Sequence, residues 1–188
     1  MKNDKKKLPI NDYQLIIDTP LGKMVAKASK NAVFALDFFP FHCEFDQQSP
    51  VFQEFSAFPS ISQVAEMTNN PNNILLRLKT ELDEYFAEKR KIFSIPVLLQ
   101  GTDFQIKSWQ ILQQIPYGKT ISYTEQAILV GNKKAVRAVA NANSKNKIIL
   151  LVPCHRVIGS NGALTGFASG LWRKERLIEL EKGSVAHR

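Results

Sequence analysis

Apolar and polar residues alternate in three short runs near the start of the chain. These runs predict β-strands at residues 13–18, 23–28 and 32–39. A turn at residues 19–22 separates the first two strands, and Pro40 closes the third. Strands this short, joined by tight connections, favour an antiparallel sheet.

A helical spacing follows in the middle of the chain. Apolar residues recur three and four positions apart between residues 74 and 88, which predicts an amphipathic helix. They are Ile74, Leu75, Leu78, Leu82, Tyr85 and Phe86. Residues 42–71 are typical of a loop with a weak helical patch, and residues 92–100, which contain Pro96, indicate an extended linker.

The second half is predicted to be mostly helical. Thr102 or Asp103 can cap a helix that runs to Ile115, and Pro116-Tyr-Gly118 stops it. The capping box Ser122-Tyr-Thr-Glu125 opens a short helix to about residue 129. A Gly131-Asn132 turn then leads into a helix at about residues 133–144, which suggests a helix-turn-helix. The apolar run at 148–152 predicts a buried extended segment, and residues 171–181 form a last helix.

The helix at about 133–144 has one apolar side and an opposite side that mixes cationic and small residues. Val136, Val139 and Ala140 point one way. The opposite side carries Lys134, Arg137, Ala138 and Asn141, with Ala135 and Ala142 at its margin. Small residues permit close approach to another backbone, while Lys and Arg can reach phosphates, so this side favours nucleic-acid contact. The alternative is an Ala-rich surface helix selected for helix propensity.

Composition narrows the class of protein. With 188 residues, 44% of them hydrophobic and 22% charged, the chain fits one domain or two small ones. Its longest apolar runs reach about half a membrane span, which argues against a transmembrane helix. No apolar segment follows the Lys-rich start, so we expect no signal peptide and a cytoplasmic location. Two cysteines (Cys43, Cys154) and three histidines (His42, His155, His187) make a four-ligand zinc site unfavourable.

The net charge of +8 is confined to one half of the chain. Residues 1–102 contain 12 Lys and Arg against 12 Asp and Glu, whereas residues 103–188 contain 13 against 5. The positive charge of residues 103–188 favours a polyanionic partner, of which nucleic acid is the first candidate. A role in solubility alone is the alternative.

Cys154 is the candidate nucleophile. It follows an apolar run and precedes His155, a base that can take the thiol proton directly or through a water. Such a histidine needs a carboxylate behind it, and the candidates on the last helix are Glu175, Glu179 and Glu181. The alternative is that Cys154 is a small buried hydrophobic residue, which is how we interpret Cys43.

Several motifs in order along the chain resemble one known family. Pro153-Cys-His-Arg-Val157 resembles the active-site signature of the O6-alkylguanine-DNA alkyltransferases, also called methylated-DNA–protein-cysteine methyltransferases. The flanking blocks that also resemble this family are Gly101-Thr-Asp-Phe-Gln105, Ile115-Pro-Tyr-Gly-Lys-Thr-Ile-Ser-Tyr123, Arg137-Ala-Val139 and Asn146-Lys147. The similarity is dense over residues 101–183 and weaker before them, at Thr19-Pro-Leu-Gly22 and Ala35-Leu-Asp37.

The resemblance implies a fold and a reaction. The fold is an N-terminal ribonuclease H-like α/β domain at residues 10–100, preceded by a disordered basic tail at 1–9. A helical winged helix-turn-helix domain follows at 101–188. The reaction is a single-turnover transfer of the alkyl group from O6-alkylguanine in double-stranded DNA, and less readily from O4-alkylthymine, to Cys154 after base flipping. A monomer without metal or organic cofactor is sufficient for this reaction.

The resemblance also implies roles for individual residues. His155 would activate Cys154 through a water, Glu181 would orient His155, Asn146 would brace the turn carrying Cys154, and Tyr123 would protonate the leaving guanine. Arg137 would fill the gap in the duplex, beside a DNA-binding surface of Lys133, Lys134, Ala138 and Asn141. Val157, Phe167, Ala168 and Ser169 would line the alkyl pocket. No role is assigned to Asn143.

Three other functions are compatible with parts of the sequence. A non-catalytic alkyltransferase-like lesion binder would lack the acceptor cysteine, which is present here. A winged-helix regulator with Cys154 as a sensor would need a dimerisation element, and none is evident. A Cys–His hydrolase would need a substrate pocket that the sequence does not reveal.

Overall fold

The computed structural model describes residues 13–39 and 71–183. The predicted tail at 1–9, most of the predicted loop at 42–71, and His42, Cys43 and His187 lie outside the described residues.

An antiparallel three-stranded sheet forms the first part, as predicted. Its strands are β1 (Tyr13–Ile17), β2 (Lys23–Ala28) and β3 (Val33–Phe39), in that order across the sheet. The turn between β1 and β2 needs a positive φ of 112° at Gly22, a conformation that favours glycine.

The third strand connects the sheet to two later segments. Leu98 donates a backbone hydrogen bond to Val33, so residues 92–100 are bonded to the sheet at this point. Further along β3, Leu36 donates to the carbonyl of Lys147 at 2.7 Å and accepts from Ile149 at 2.9 Å. Strand β3 therefore lies directly beside the segment that leads to Cys154.

The predicted amphipathic helix is present as α1 (Asn73–Phe86), and it packs on β1 and β2. The side chain of Asn72 caps it by accepting from the Leu75 amide. Its apolar face is fully buried at Leu75, Leu78, Leu82 and Tyr85.

The capping and turn residues in the sequence predict the later helices close to where they are found. Helix α2 (Asp103–Gln113) begins with a capping box at Thr102, and α3 (Tyr123–Val130) begins with the predicted capping box at Ser122. The helix predicted at 133–144 divides into a 3₁₀ turn (Lys133–Ala135) and α4 (Val136–Ser144). The last helix is α5 (Leu171–Glu181), as predicted.

The prediction of an extended segment at residues 148–152 is wrong. These residues are buried, but bonds from Val152 to Ile148 and from Leu151 to Ile149 fold them into turns, and Leu150 has a φ of 70°. The apolar run signals burial, which turns and strands share. Consequently Cys154 begins a 3₁₀ helix (Cys154–Arg156) instead of ending a strand.

A short strand follows that 3₁₀ helix. Strand β5 (Val157–Ile158) pairs in parallel with β4 (Ile121–Ser122), which directly precedes α3. This pairing holds the segment after Cys154 against the start of α3.

One apolar cluster unites the first part with the second. It contains side chains of the sheet, α1, α2, the 148–152 turns and α5, among them Leu36, Leu78, Leu112, Leu150 and Leu177. A smaller cluster of Ala127, Val130 and Val139 holds α3 against α4. Among the described residues, no helix is both long enough and apolar enough to cross a bilayer.

Candidate active site

Cys154 lies at a cavity formed by both halves of the chain. The cavity is open to solvent, and its lining includes Asp37, Asn146, Cys154, Phe167, Ala168 and Ser169. The Cys154 side chain is 7% exposed in this setting, and burial raises the pKa of its thiol to about 11. The resting thiol is therefore protonated near neutral pH and needs a base to become a nucleophile.

His155 is a neutral base with one nitrogen bound and one free of protein partners. Its Nε2 lies 2.9 Å from Glu181 Oε1, and burial lowers the pKa of the imidazole below its usual value. A neutral imidazole beside a carboxylate carries its proton on Nε2, which leaves Nδ1 as the acceptor. Within the described residues, Nδ1 is buried and has no hydrogen-bond partner.

Glu181 is held ionised by a ring of donors. Besides His155, it accepts from Arg156 Nε at 2.9 Å, Arg156 Nη2 at 2.8 Å, the Gly118 amide at 3.1 Å and the Tyr85 hydroxyl at 2.8 Å. Burial by itself raises the pKa of this carboxyl, but the hydrogen bonds and charges of His155 and Arg156 outweigh it and lower the pKa to about 2. Of the three candidate carboxylates, only Glu181 reaches His155, because Glu175 is exposed and Glu179 pairs with Arg176.

Asn146 bridges the turns that precede Cys154. Its Nδ2 donates to the Val152 carbonyl at 2.7 Å, and its Oδ1 accepts from the Ile148 amide at 3.0 Å. A hydrogen bond from Asn146 also lowers the pKa of the Cys154 thiol, against the larger effect of burial.

Tyr123 lies at the first turn of α3, with its hydroxyl near the pocket loop at residues 165–169. The hydroxyl donates to the carbonyls of Thr165 and Gly166, each at 3.3 Å. Burial and the nearby Cys154 raise the pKa of this phenol to about 12, so it keeps its proton at neutral pH. Gly166 is required here, because a Cβ at that position would lie 2.7 Å from the hydroxyl.

Three of the four predicted pocket residues line the cavity with Cys154. Phe167, Ala168 and Ser169 do so, whereas Val157 is fully buried in the core and is absent from the lining.

Sequence reasoning missed Lys174, which is fully buried below the pocket loop. Its Nζ donates to the carbonyls of Val157, at 2.5 Å, Thr165 and Gly166, and burial lowers its pKa to about 8. One available signal was its spacing, since positions 174, 177, 178 and 181 share one helix face.

Tyr85 and Asp37 were also missed as site residues. The helical spacing predicts Tyr85 only as a core residue, but a buried tyrosine hydroxyl usually requires a hydrogen-bond partner, which here is Glu181. Asp37 is buried, and the one signal in the sequence was an aspartate within an otherwise apolar strand, where a carboxylate usually needs a partner.

The predicted DNA-binding residues share one exposed surface. Lys133, Lys134, Arg137, Ala138 and Asn141 are all exposed on the 3₁₀ turn and α4. Ala142 does not lie at the margin of this surface as predicted. It is buried, and its carbonyl accepts from Trp109 Nε1 at 2.8 Å.

Asn143 has a structural role that the sequence did not reveal. Its Nδ2 donates to Gln126 Oε1 at 2.7 Å, and its Oδ1 accepts from Gln126 Nε2 at 3.1 Å. Because both amides are buried, this reciprocal pair fixes α4 against α3.

The positive charge of the second half is partly internal. Arg156, Arg173 and Lys174 are buried and donate to groups of this chain, so they do not belong to an exposed basic surface. No group of three or more potential metal-ligating side chains occurs among residues 13–39 and 71–183.

The chain resembles known proteins over nearly its whole length. A family described as "6-O-methylguanine DNA methyltransferase, DNA binding domain" matches residues 103–183. The constitutive methylated-DNA–protein-cysteine methyltransferase of Bacillus subtilis is 41% identical over 172 residues, covering 91% of this chain and 96% of that protein. A Methanosarcina barkeri protein with the same description is 35% identical, covering 92% and 99%.

Solved structures agree with this similarity. The O6-methylguanine methyltransferase of Mycobacterium tuberculosis has a TM-score of 0.74 at 33% identity, covering 94% of this chain and 96% of that one. The M. tuberculosis OGT in complex with DNA has a TM-score of 0.73 at 34% identity, covering 93% and 96%. This similarity, the cavity at Cys154 and the buried His155–Glu181 pair lead to one conclusion: the chain belongs to the methylated-DNA–protein-cysteine methyltransferase family.

Proposed function

We propose that this protein repairs DNA directly, by transferring the alkyl group of O6-alkylguanine, and less readily of O4-alkylthymine, to Sγ of Cys154. One observation carries the proposal. A protonated thiol lies at a cavity, next to a buried histidine that has one nitrogen fixed by Glu181 and the other available as a proton acceptor.

The transfer begins with ionisation of the thiol. His155 Nδ1 accepts the Cys154 proton through a bridging water, and the resulting imidazolium is stabilised by the ionised Glu181. Glu181 keeps its charge throughout because Arg156 contacts both of its oxygens. Asn146 holds the turns before Cys154, so it fixes the direction from which the sulfur approaches the alkyl carbon.

The displacement then exchanges one bond for another. A bond forms between Sγ and the alkyl carbon as the bond from that carbon to O6 breaks, and its electron pair remains on guanine. Tyr123 donates a proton to the leaving base and recovers one from the imidazolium, so the thiol proton finally resides on guanine. The thioether product is not readily hydrolysed, so each molecule reacts once.

DNA is presented to this site by the helix-turn-helix formed by α3 and α4. Lys133 and Lys134 contact phosphates, Ala138 and Asn141 allow close approach to the minor groove, and Arg137 enters the duplex where the damaged base has flipped out. The pocket residues Phe167, Ala168 and Ser169, which line the cavity, receive that base. The protein acts in the cytoplasm as a monomer, with a ribonuclease H-like unit at 10–100 and a winged helix-turn-helix unit at 101–188.

Intact-mass measurement after incubation with a duplex containing O6-methylguanine tests the proposal. We expect one added methyl group per chain, located on Cys154 by peptide mapping, and unmodified guanine in the recovered DNA. Cys154→Ala should gain no methyl group, while Cys43→Ser should react like the natural protein. A sensor-type regulator would acquire no adduct from this DNA, and a hydrolase would convert many equivalents of substrate.

A further inference from the structure

Asp37 brings a carboxyl group from the first-half sheet to the cavity that contains Cys154. It lies on β3 and is only 2% exposed, yet it is among the residues that line this cavity. Its Oδ1 accepts hydrogen bonds from Ser169 Oγ and from the Phe38 amide, both at 2.7 Å. Ser169 belongs to the pocket loop, so this carboxyl directly contacts the loop.

The charge of Asp37 acts electrostatically on the sulfur of Cys154. Burial raises the pKa of the Cys154 thiol most, a hydrogen bond from Asn146 and the charge of Lys174 lower it, and a negative Asp37 raises it through Coulombic repulsion. Any group transferred to that sulfur occupies the same cavity and experiences the same field. In a partly desolvated site this interaction is screened less than in water.

No positive side chain among the described lining residues neutralises this charge. Asp37 and the Cys154 thiol are the ionisable groups of that lining. Arg173 donates instead to the carbonyls of Ser169 and Leu21, and Lys174 donates to three carbonyls behind the loop. Neither cation lines the cavity, but Arg173 lowers the pKa of Asp37, and Lys174 lowers the pKa of the Cys154 thiol by more than Asp37 raises it. Burial lowers the pKa of Lys174 itself to about 8, so most of its charge is lost at pH 8.5, where Asp37 is ionised.

We propose that Asp37 determines the charge selectivity of the alkyl pocket: it disfavours transfer of negatively charged alkyl groups to Cys154 and leaves neutral groups accepted. This inference rests on the proposed function and assigns to the first half of the chain a direct part in substrate choice. Asp37 does not take part in bond making, since no step of the transfer requires a second carboxylate at the sulfur.

The test compares two adducts of nearly equal size. O6-carboxymethylguanine carries a negative charge, and O6-carbamoylmethylguanine is its neutral counterpart. Transfer rates from identical duplexes are measured at pH 8.5, where Asp37, whose pKa burial raises to about 7, is ionised. We expect the natural protein to transfer the neutral group faster, by on the order of tenfold. Equal rates for the two adducts would overturn the proposal.

Variants then locate the source of the selectivity. Asp37→Asn removes the charge and retains an oxygen that can accept from Ser169, so the preference for the neutral adduct should fall several-fold. Ser169→Ala removes the loop contact and keeps the charge, so the preference should persist. Glu81→Gln neutralises another buried carboxyl of the first half, which bonds Ser94 away from the cavity, and should behave like the natural protein.

An undiminished preference in Asp37→Asn would contradict the proposal, and Asp37→Ser serves as the second neutral variant if Asp37→Asn does not fold. A purely structural role of Asp37 would slow both adducts equally and leave their rate ratio unchanged. O6-methylguanine is the reference substrate. Failure of the natural protein to accept its methyl group would refute the proposed function, whereas normal methyl transfer without charge selectivity would refute this inference alone.

Discussion

Two carboxyl groups are buried close to the Cys154–His155 pair, and their surroundings shift their pKa values in opposite directions. Glu181 has a pKa of about 2, and Asp37 has a pKa of about 7. Burial raises both values. For Glu181 this effect is exceeded by hydrogen bonds and charges from His155 and Arg156. For Asp37, the hydrogen bonds from Ser169 and the Phe38 amide and the charge of Arg173 lower the pKa by less than burial raises it.

The comparison shows that the partners of a buried carboxyl decide its charge, and that each arrangement suits a different task. In the proposed transfer, Glu181 must remain negative while His155 gains and loses a proton, and two hydrogen bonds from Arg156 stabilise that charge. Asp37 has a neutral partner in Ser169, so it can change its charge near neutral pH.

The largest effect is expected from Glu181→Gln, which removes the charge that Arg156 and His155 share. Leaving Arg156 buried without a counter-ion should reduce the free energy of unfolding by about 3 kcal/mol. The transfer rate should fall by roughly 10² or more, and the thiol pKa of Cys154 should rise, since the imidazolium loses its stabilising anion. Urea unfolding and the pH profile of thiol alkylation measure these changes.

Glu179→Gln is the matched control for that substitution, because it lies on the same helix and pairs only with Arg176 at the surface. It should alter stability by less than about 0.5 kcal/mol. If Glu181→Gln and Glu179→Gln have the same thiol pKa, the contact between Glu181 and His155 does not control the nucleophile.

The next effect concerns the pH dependence of stability. Because the pKa of Asp37 is about 7 when folded and 3.8 ordinarily, the folded state holds this proton more tightly. Asp37 therefore reduces stability as pH rises from about 4 through 7. Glu181, with its lowered pKa, adds stability above about 4.5 and loses it as pH falls towards 2.

Asp37→Asn should consequently gain stability relative to the natural protein as pH rises from 4.5 to 8.5, by at most about 3 kcal/mol. Urea unfolding at the two pH values measures the difference. Asp18→Asn, at an exposed carboxylate that pairs with Lys23, is the control and should show a flat difference. A flat difference for Asp37→Asn as well would mean that Asp37 is ionised in the folded protein at both pH values.

A smaller effect is expected from Tyr85→Phe, which removes one donor from Glu181 and keeps the ring in the core. The loss of a buried hydrogen bond to a carboxylate should cost about 1.5 kcal/mol or more in thermal or urea unfolding. The transfer rate should change less than tenfold, because Arg156 and Gly118 still bind the carboxylate. Tyr117→Phe, whose hydroxyl makes a long 3.5 Å contact with Leu180, is the control. Equal stability losses in both variants would show that the hydrogen bond from Tyr85 to Glu181 does not stabilise the fold more than the long contact of Tyr117 does.

The smallest effect on stability is expected at the exposed surface that we propose binds DNA, in contrast to the buried carboxyls. Arg137→Ala should leave stability unchanged and slow transfer from duplex DNA by roughly tenfold. Transfer from the free O6-alkylguanine base should stay within about twofold, because the role proposed for Arg137 requires a duplex. Rate measurements on both substrates decide this, and equal slowing of both would place Arg137 in the chemistry instead.

Local chemistry was sufficient to predict most elements. Hydrophobic periodicity and end signals located the three strands, the helix that Thr102 or Asp103 was expected to cap, the capping box at Ser122 and the helix Leu171–Glu181. The motif around Cys154 indicated a candidate nucleophile and its base but left Glu175, Glu179 and Glu181 as candidate carboxylates, and only the family resemblance implied Glu181. The turns at 148–152 were missed because an apolar run specifies burial without specifying backbone conformation.

The amino-acid sequence by itself determined the family, the candidate nucleophile and the positive second half, because these follow from residue identity and short spacings. Only the tertiary structure decided what surrounds Cys154. Asp37 meets Ser169 across 132 residues, and Tyr85 meets Glu181 across 96. Burial and hydrogen-bond partners set the charges of these groups. Both depend on which distant segments pack together, and a local sequence pattern does not specify that packing.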